Sequence, residues 1–116
     1  MTIERFRTKT RSSPVLRHNG VVYLTGQVGE GDTVTEQTHS CLARIDALLA
    51  EAGTDKRHLL QATLWLHDMD DYDAVNEVWD AWVPEGCAPA RNCGQVSVAV
   101  PGARVEIIIV AAMPDS

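Results

Sequence analysis

Apolar positions along this chain recur at two periods, and the switches between them set the expected architecture. Val15 to His18 and Val21 to Thr25 are short apolar runs around Asn19-Gly20, the dipeptide best suited to a tight two-residue hairpin turn. Thr33 and Glu36 have the spacing of a capping box, and Cys41, Leu42, Ile45, Leu48, Leu49 and Ala52 then follow at helical intervals until Gly53 ends the helix. Leu60 to His67 returns to period two, with Ala62, Leu64 and Leu66 alternating against Gln61, Thr63, Trp65 and His67. A second helix, capped by Asp70 or Asp71, carries the stripe Tyr72, Val75, Val78, Trp79 and Trp82 and stops at Pro84-Glu85-Gly86.

Two strands close the chain. In the first, Arg91, Cys93, Gln95, Ser97 and Ala99 share one face and Val96, Val98 and Val100 the other. In the second, Val105, Ile107, Ile109 and Ala111 share a face, leaving Glu106 in line with Ile108 and Val110. With one strand ahead of the hairpin, the order is three strands, helix, strand, helix, two strands. That order predicts an α+β fold, a six-stranded mixed sheet with two helices on one face. Two helices cover only one side of such a sheet, so the side carrying Trp65 or the Val96 set calls for a partner.

Composition narrows the class. At 116 residues the chain is expected to form a single domain over 1–116, and its apolar fraction of 45% is ordinary for a globular protein. No apolar run approaches the roughly 20 residues a bilayer span needs. Met1-Thr2-Ile3-Glu4-Arg5 lacks the apolar region of a signal peptide, and a cytoplasmic location is expected. Cys41, Cys87 and Cys93 are odd in number and show no Cys-x-x-Cys spacing, which fits free thiols in a reducing compartment. A formal charge of −6 argues against a phosphate backbone as the main partner, and the basic segment Arg5, Arg7, Lys9, Arg11 reads as a solvated strand and loop.

The candidate chemistry lies in the last two strands. Arg91 and Glu106 are set into segments that otherwise read as core, and a charge stripped of water costs several kcal/mol unless something faces it. A guanidinium presents a planar fork that grips a carboxylate with two parallel hydrogen bonds. Arg91 is therefore a candidate clamp for an anionic ligand, the other reading being a salt bridge to a carboxylate of its own protein. Glu106, among Ile and Val walls, suits a base acting on water, against a role in an intersubunit ion pair. A plain hairpin about Pro101-Gly102 would oppose Glu106 to Ser97, roughly 20 Å along the strand from Arg91. Either the last strand pairs elsewhere in the sheet, or a neighbouring subunit completes the pocket.

Other chemistries are disfavoured by spacing. Gly26, Gly29 and Gly31 do not form Gly-x-Gly-x-x-Gly. Counting from Asp68, the sixth position is Asp73 instead of glycine and the twelfth is Trp79 instead of glutamate, so Asp68, Asp70, Asp71 and Asp73 do not make a calcium loop. His18, His39, His58 and His67 show no paired ligand spacing, so no metal is expected.

Pro89-Ala90-Arg91 with Cys93, Val105-Glu106-Ile107, Thr25-Gly26-Gln27 and Thr63-Leu64-Trp65-Leu66-His67-Asp68 together resemble the Rid family (RidA/YjgF), the reactive-intermediate imine deaminases also labelled L-PSP endoribonucleases. The resemblance covers nearly the whole chain. It implies a chorismate-mutase-like fold, a homotrimer with pockets at the subunit seams, and no cofactor. It further implies hydrolysis of small 2-imino or enamine acids of the 2-aminoacrylate/2-iminopropanoate type to 2-oxo acids and ammonia. Arg91 would hold the substrate carboxylate, the Gly26 backbone the imine end, and Glu106 the attacking water, with Cys93 and Trp65 also at the substrate. On the residues alone, Cys93 reads equally as a core thiol and Gly26 as a strand-ending turn. Ser12 and Ser13 stand in the loop where active members usually carry a tyrosine facing the pocket. A metabolite-binding sensor or effector module using the same arginine pocket is the alternative, and an endoribonuclease the third reading.

Overall fold

The computed structural model describes residues 2–115. Six strands, β1 (Glu4–Phe6), β2 (Val15–His18), β3 (Val21–Leu24), β4 (Leu59–Leu66), β5 (Ala90–Gln95) and β6 (Val105–Ala112), form one sheet in the order β1-β2-β3-β6-β4-β5. The helices α1 (Val34–Ala52) and α2 (Tyr72–Trp82) pack on one face of it. All strand pairs are antiparallel except β4 with β5.

Local signals fixed the elements as expected. Asn19 and Gly20 both take positive φ, 54° and 78°, the conformation that matches a two-residue turn to the twist of its strands. The Thr33 side chain accepts from Glu36 N while the Glu36 carboxylate accepts from Thr33 N, closing the capping box at the start of α1. Gly53 ends α1 with φ 95°. The core lies between sheet and helices: Val105, Ile107, Ile109 and Ala111 from β6 meet Ala62, Leu64 and Leu66 from β4 and Leu42, Ile45 and Leu49 from α1, all essentially without solvent contact. Glu106, Ile108 and Val110 fall on the opposite face, only half-buried, as the alternation predicted.

Three local expectations are corrected. β5 ends at Gln95, and Val96–Val100 is an irregular, largely exposed segment in place of further strand. β5 is an edge strand whose one partner, β4, stops at Leu66, so after Val96 N donates to Leu66 O no backbone remains to pair with. The chain then returns through Ala103 to β6, which pairs with β3 and β4 and not with β5. Asp71 stands at the N-cap position of α2 but makes no capping bond, because its carboxylate instead receives both Nε (3.1 Å) and Nη2 (2.7 Å) of Arg104. Asp68 does the capping one turn earlier, accepting from Asp70 N. Tyr72, placed on the apolar stripe of α2, is 40% exposed.

Candidate functional site

β5 presents Arg91 and Cys93 in register with Ala62 and Leu64 of β4, both core residues, so these two side chains emerge on the helix side of the sheet. Cys93 packs against the core as a half-buried thiol. Arg91, near the start of the strand, extends along α2: its Nη2 donates to Asn76 Oδ1 at 2.6 Å, and its guanidinium carbon lies 5.4 Å from the Trp79 ring centroid and 5.9 Å from that of Tyr72. Residues 72, 76 and 79 follow at one-turn intervals on a single helix face, which is why one side chain touches all three. Among the described residues no carboxylate lies within salt-bridge distance of Arg91.

Glu106 occupies the other face. It opposes Trp65 across the β4–β6 ladder, and Trp65 in turn is in register with Gly94 of β5. Gly94 leaves room for the indole, since a Cβ there would sit 3.2 Å from Trp65 Cζ3. Gly26 comes closer still: a Cβ on it would fall 2.1 Å from Glu106 Oε2. That approach is enforced by the paired bonds Gln27 N to Ile107 O and Ile107 N to Gln27 O, both 2.9 Å, which lay the Thr25-Gly26-Gln27 segment against β6. Gly26, Glu106 and Trp65 therefore form one cluster, with backbone polar groups beside a carboxylate.

A single chain does not bring this cluster to Arg91. Arg91 aligns with Ala62, three positions before the Trp65–Gly94 pair, and β4 lies between β5 and β6. At the usual strand rise and spacing the two Cα atoms are roughly 14 Å apart, with the side chains on opposite faces. Among the described residues, several hollows lie away from both groups. One of about 310 Å³ between the helices is lined by His39, Asp46, Lys56 and Trp82, and another of about 380 Å³ by Val28–Gly31, Arg44 and Val100–Ala103. A third, about 310 Å³, sits in the β1–β2 loop with Arg5, Lys9, Arg11, Ser12 and Ser13 at its wall. Arg7, from the same basic segment, points instead to Glu51 of α1.

A family model described as Endoribonuclease L-PSP matches residues 2–113. The chain belongs to the L-PSP endoribonuclease (YjgF/RidA) family. It is 44% identical over 114 residues to the RutC family protein YoaB of Escherichia coli strain K12, covering 97% of this chain and all of that one. A mouse protein named 2-iminobutanoate/2-iminopropanoate deaminase is 31% identical over 107 residues, covering 85% of this chain and 78% of that one. A crystal structure of a YjgF-family protein from Neisseria meningitidis superposes with a TM-score of 0.97 at 47% identity, covering 100% of this chain and 98% of that one. The chorismate-mutase-like α+β fold expected for the family is the fold observed.

Within this family frame, Asn76 and Tyr72 are contacts of the central arginine that sequence reasoning missed. The signal was a polar residue breaking the α2 stripe one turn from both Tyr72 and Trp79, opposite an arginine-bearing strand. Cys41, by contrast, is core: it is fully buried, its Sγ donates to Gln27 O at 3.1 Å, and burial pushes its thiol up to about 12. The unfolded thiol ionises near its ordinary value of 9.0, well below the folded one. Its contribution is therefore complete below about pH 9 and is lost as pH rises from there towards 12. Urea unfolding at pH 8 and pH 10.5 should show a loss on the order of 1–2 kcal/mol that is absent in Cys41→Ala. Equal losses in both proteins would contradict it.

Among the described residues no group of three His, Cys, Asp or Glu side chains is placed to hold a metal ion. Nor is any helix long and apolar enough to cross a membrane.

Proposed function

We propose that this protein is a cofactor-independent hydrolase of small 2-imino and enamine acids, working in a homotrimer whose pockets lie at the seams between copies. The observation that carries the reading is the state of Arg91: half-buried, held in place, and unmatched by any carboxylate among the described residues. Such a fork is complementary to a ligand carboxylate. The mouse relative named for 2-iminobutanoate/2-iminopropanoate deaminase supports the substrate class.

Arg91 of one copy would bind the substrate carboxylate, with Cys93 on the same side, while the Gly26, Trp65 and Glu106 cluster of a neighbouring copy faces the imine. The opposite faces the two groups occupy in one chain support this division. Glu106 takes a proton from water as the water oxygen adds to the imine carbon. Glu106 hands that proton to the imine nitrogen, giving a neutral carbinolamine, whose C–N bond then breaks as the hydroxyl proton passes through Glu106 to the departing nitrogen, leaving ammonia and a 2-oxo acid. Imine hydrolysis is already quick in water, so orientation and one base are enough machinery. RNA cleavage is the weaker reading, given a charge of −6 and the engagement of Arg7 by Glu51. A metabolite sensor is favoured by one feature, the β1–β2 loop, where the Thr8 and Ser13 hydroxyls bond each other at 2.8 Å and no aromatic side chain is offered.

The test is a coupled assay. 2-Iminopropanoate made in situ by a serine dehydratase should yield pyruvate and ammonia faster with the protein than in buffer, and equal rates would remove the deaminase reading for that substrate. Gly26→Ala refines it. The added methyl would displace the Glu106 carboxylate, a flexible group, so turnover should fall roughly tenfold while the thermal midpoint barely moves. Unchanged turnover would detach Gly26 from the chemistry.

A further inference from the structure

Four arginines of this chain are half-buried: Arg17, Arg44, Arg91 and Arg104. Three face a carboxylate, Arg17 meeting Glu4 at 2.7 Å, Arg44 meeting Glu30 at 3.2 Å and Arg104 meeting Asp71 at 2.7 Å. Arg91 alone faces a neutral amide, Asn76, at 2.6 Å. Its remaining support comes from the faces of Trp79 and Tyr72, which attract a cation without occupying any N–H donor. A guanidinium carries five N–H donors, and this shelf occupies one of them.

We infer that Asn76 is the positioning residue of the arginine clamp, holding the guanidinium in place through a neutral acceptor so that its charge stays available to the substrate carboxylate. The inference rests on the reading of Arg91 as that clamp. Asparagine and aspartate are nearly the same size, so a carboxylate at this position would keep the hydrogen bond and make it stronger. It would also form an internal ion pair with which an incoming carboxylate must compete. The hydrogen bond alone would accept the acid, and the amide keeps the same bond while leaving the guanidinium charge unmatched. The exposed acids of the same helix, Asp73, Glu77 and Asp80, are not within salt-bridge reach of Arg91. The rings set the tilt of the fork; Trp79 is 4% exposed and is also core, whereas Tyr72 at 40% exposure is not.

Asn76→Asp and Asn76→Ala can be compared with wild type in the full-length protein by calorimetric titration with 2-oxobutanoate, thermal unfolding, and turnover of in situ 2-iminopropanoate. Asn76→Asp should unfold at the same or a higher temperature yet bind 2-oxobutanoate at least tenfold more weakly, with KM raised more than kcat is lowered. Asn76→Ala should lose only a few-fold in affinity, because the rings still hold the cation. Wild-type affinity in a stably folded Asn76→Asp would overturn the inference and leave the clamp reading intact, since a merely structural amide predicts that result. A wild-type protein that neither binds 2-oxobutanoate nor accelerates imine hydrolysis would overturn both together. Binding without turnover would favour the sensor, and the Asn76→Asp titration would then decide the inference by affinity alone.

Discussion

Glu106→Gln should abolish most turnover while leaving carboxylate binding intact. The substitution keeps the size and a hydrogen-bonding amide beside Gly26 but removes the base, and a positioned general base contributes typically 10²–10⁴-fold. The expected result is a fall in kcat of about that size with 2-oxobutanoate affinity within about twofold of wild type. Stability should change little, since Glu106 is only half-buried on the open face of β6 and makes no ion pair among the described residues. A Glu106→Gln protein that turns over imine at the wild-type rate would exclude Glu106 as the base. If wild type also failed to accelerate imine hydrolysis, binding with no chemistry would mark the metabolite sensor.

Arg91→Ala should act on the other half of the reaction. Hydrogen bonds to charged groups contribute about 1.5–3 kcal/mol each, so losing the fork should weaken 2-oxo acid binding by roughly ten- to a hundredfold or more, with kcat/KM falling at least as far. Arg91→Lys should not restore it: an ammonium keeps the charge but cannot offer two parallel donors, and its shorter reach leaves the Trp79 and Tyr72 shelf half-covered. The fold should tolerate both changes, because Arg91 lies at the end of an edge strand and no buried carboxylate is left unpaired when it goes. Titration with 2-oxobutanoate separates this from misfolding. Retained affinity in a folded Arg91→Ala protein would end the clamp reading and with it the assignment of β5 to the pocket.

The two variants report on groups that one chain keeps on opposite faces of its sheet, so their dependence on each other is itself informative. Mixing inactive Arg91→Ala with inactive Glu106→Gln and reassembling them should regain part of the activity if one copy supplies the clamp and another the base.

Secondary structure was legible from the sequence because its causes are local. Asn19-Gly20 can take the two positive φ values of the turn, Thr33 and Glu36 close the capping box within one helical turn, and Gly53 accepts the left-handed φ that ends α1. The strict alternation of Val105 to Ala111 against Glu106 to Val110 likewise settled which side of β6 is core, since a one-residue slip would bury Glu106 and expose every isoleucine and valine on the core side. The family was legible for a different reason, the order and spacing of Pro89-Ala90-Arg91, Cys93 and Val105-Glu106-Ile107 in one chain.

Pairing was not legible, because it depends on what lies beside a strand and not on what is in it. Val96 to Val100 alternates like a strand, yet the structure ends β5 at Gln95 where its neighbour β4 runs out. Asp71 had the residue type and position of a cap, and the arrival of Arg104 from 33 residues further along took its carboxylate instead. Asn76 looked like a polar interruption in an apolar helix stripe until β5 laid Arg91 across it. The sequence by itself determined which residues carry charge on which face of each strand; only the tertiary structure decided what each charge meets, because contacts between distant segments follow from sheet order, and sheet order is a property of the whole packed chain.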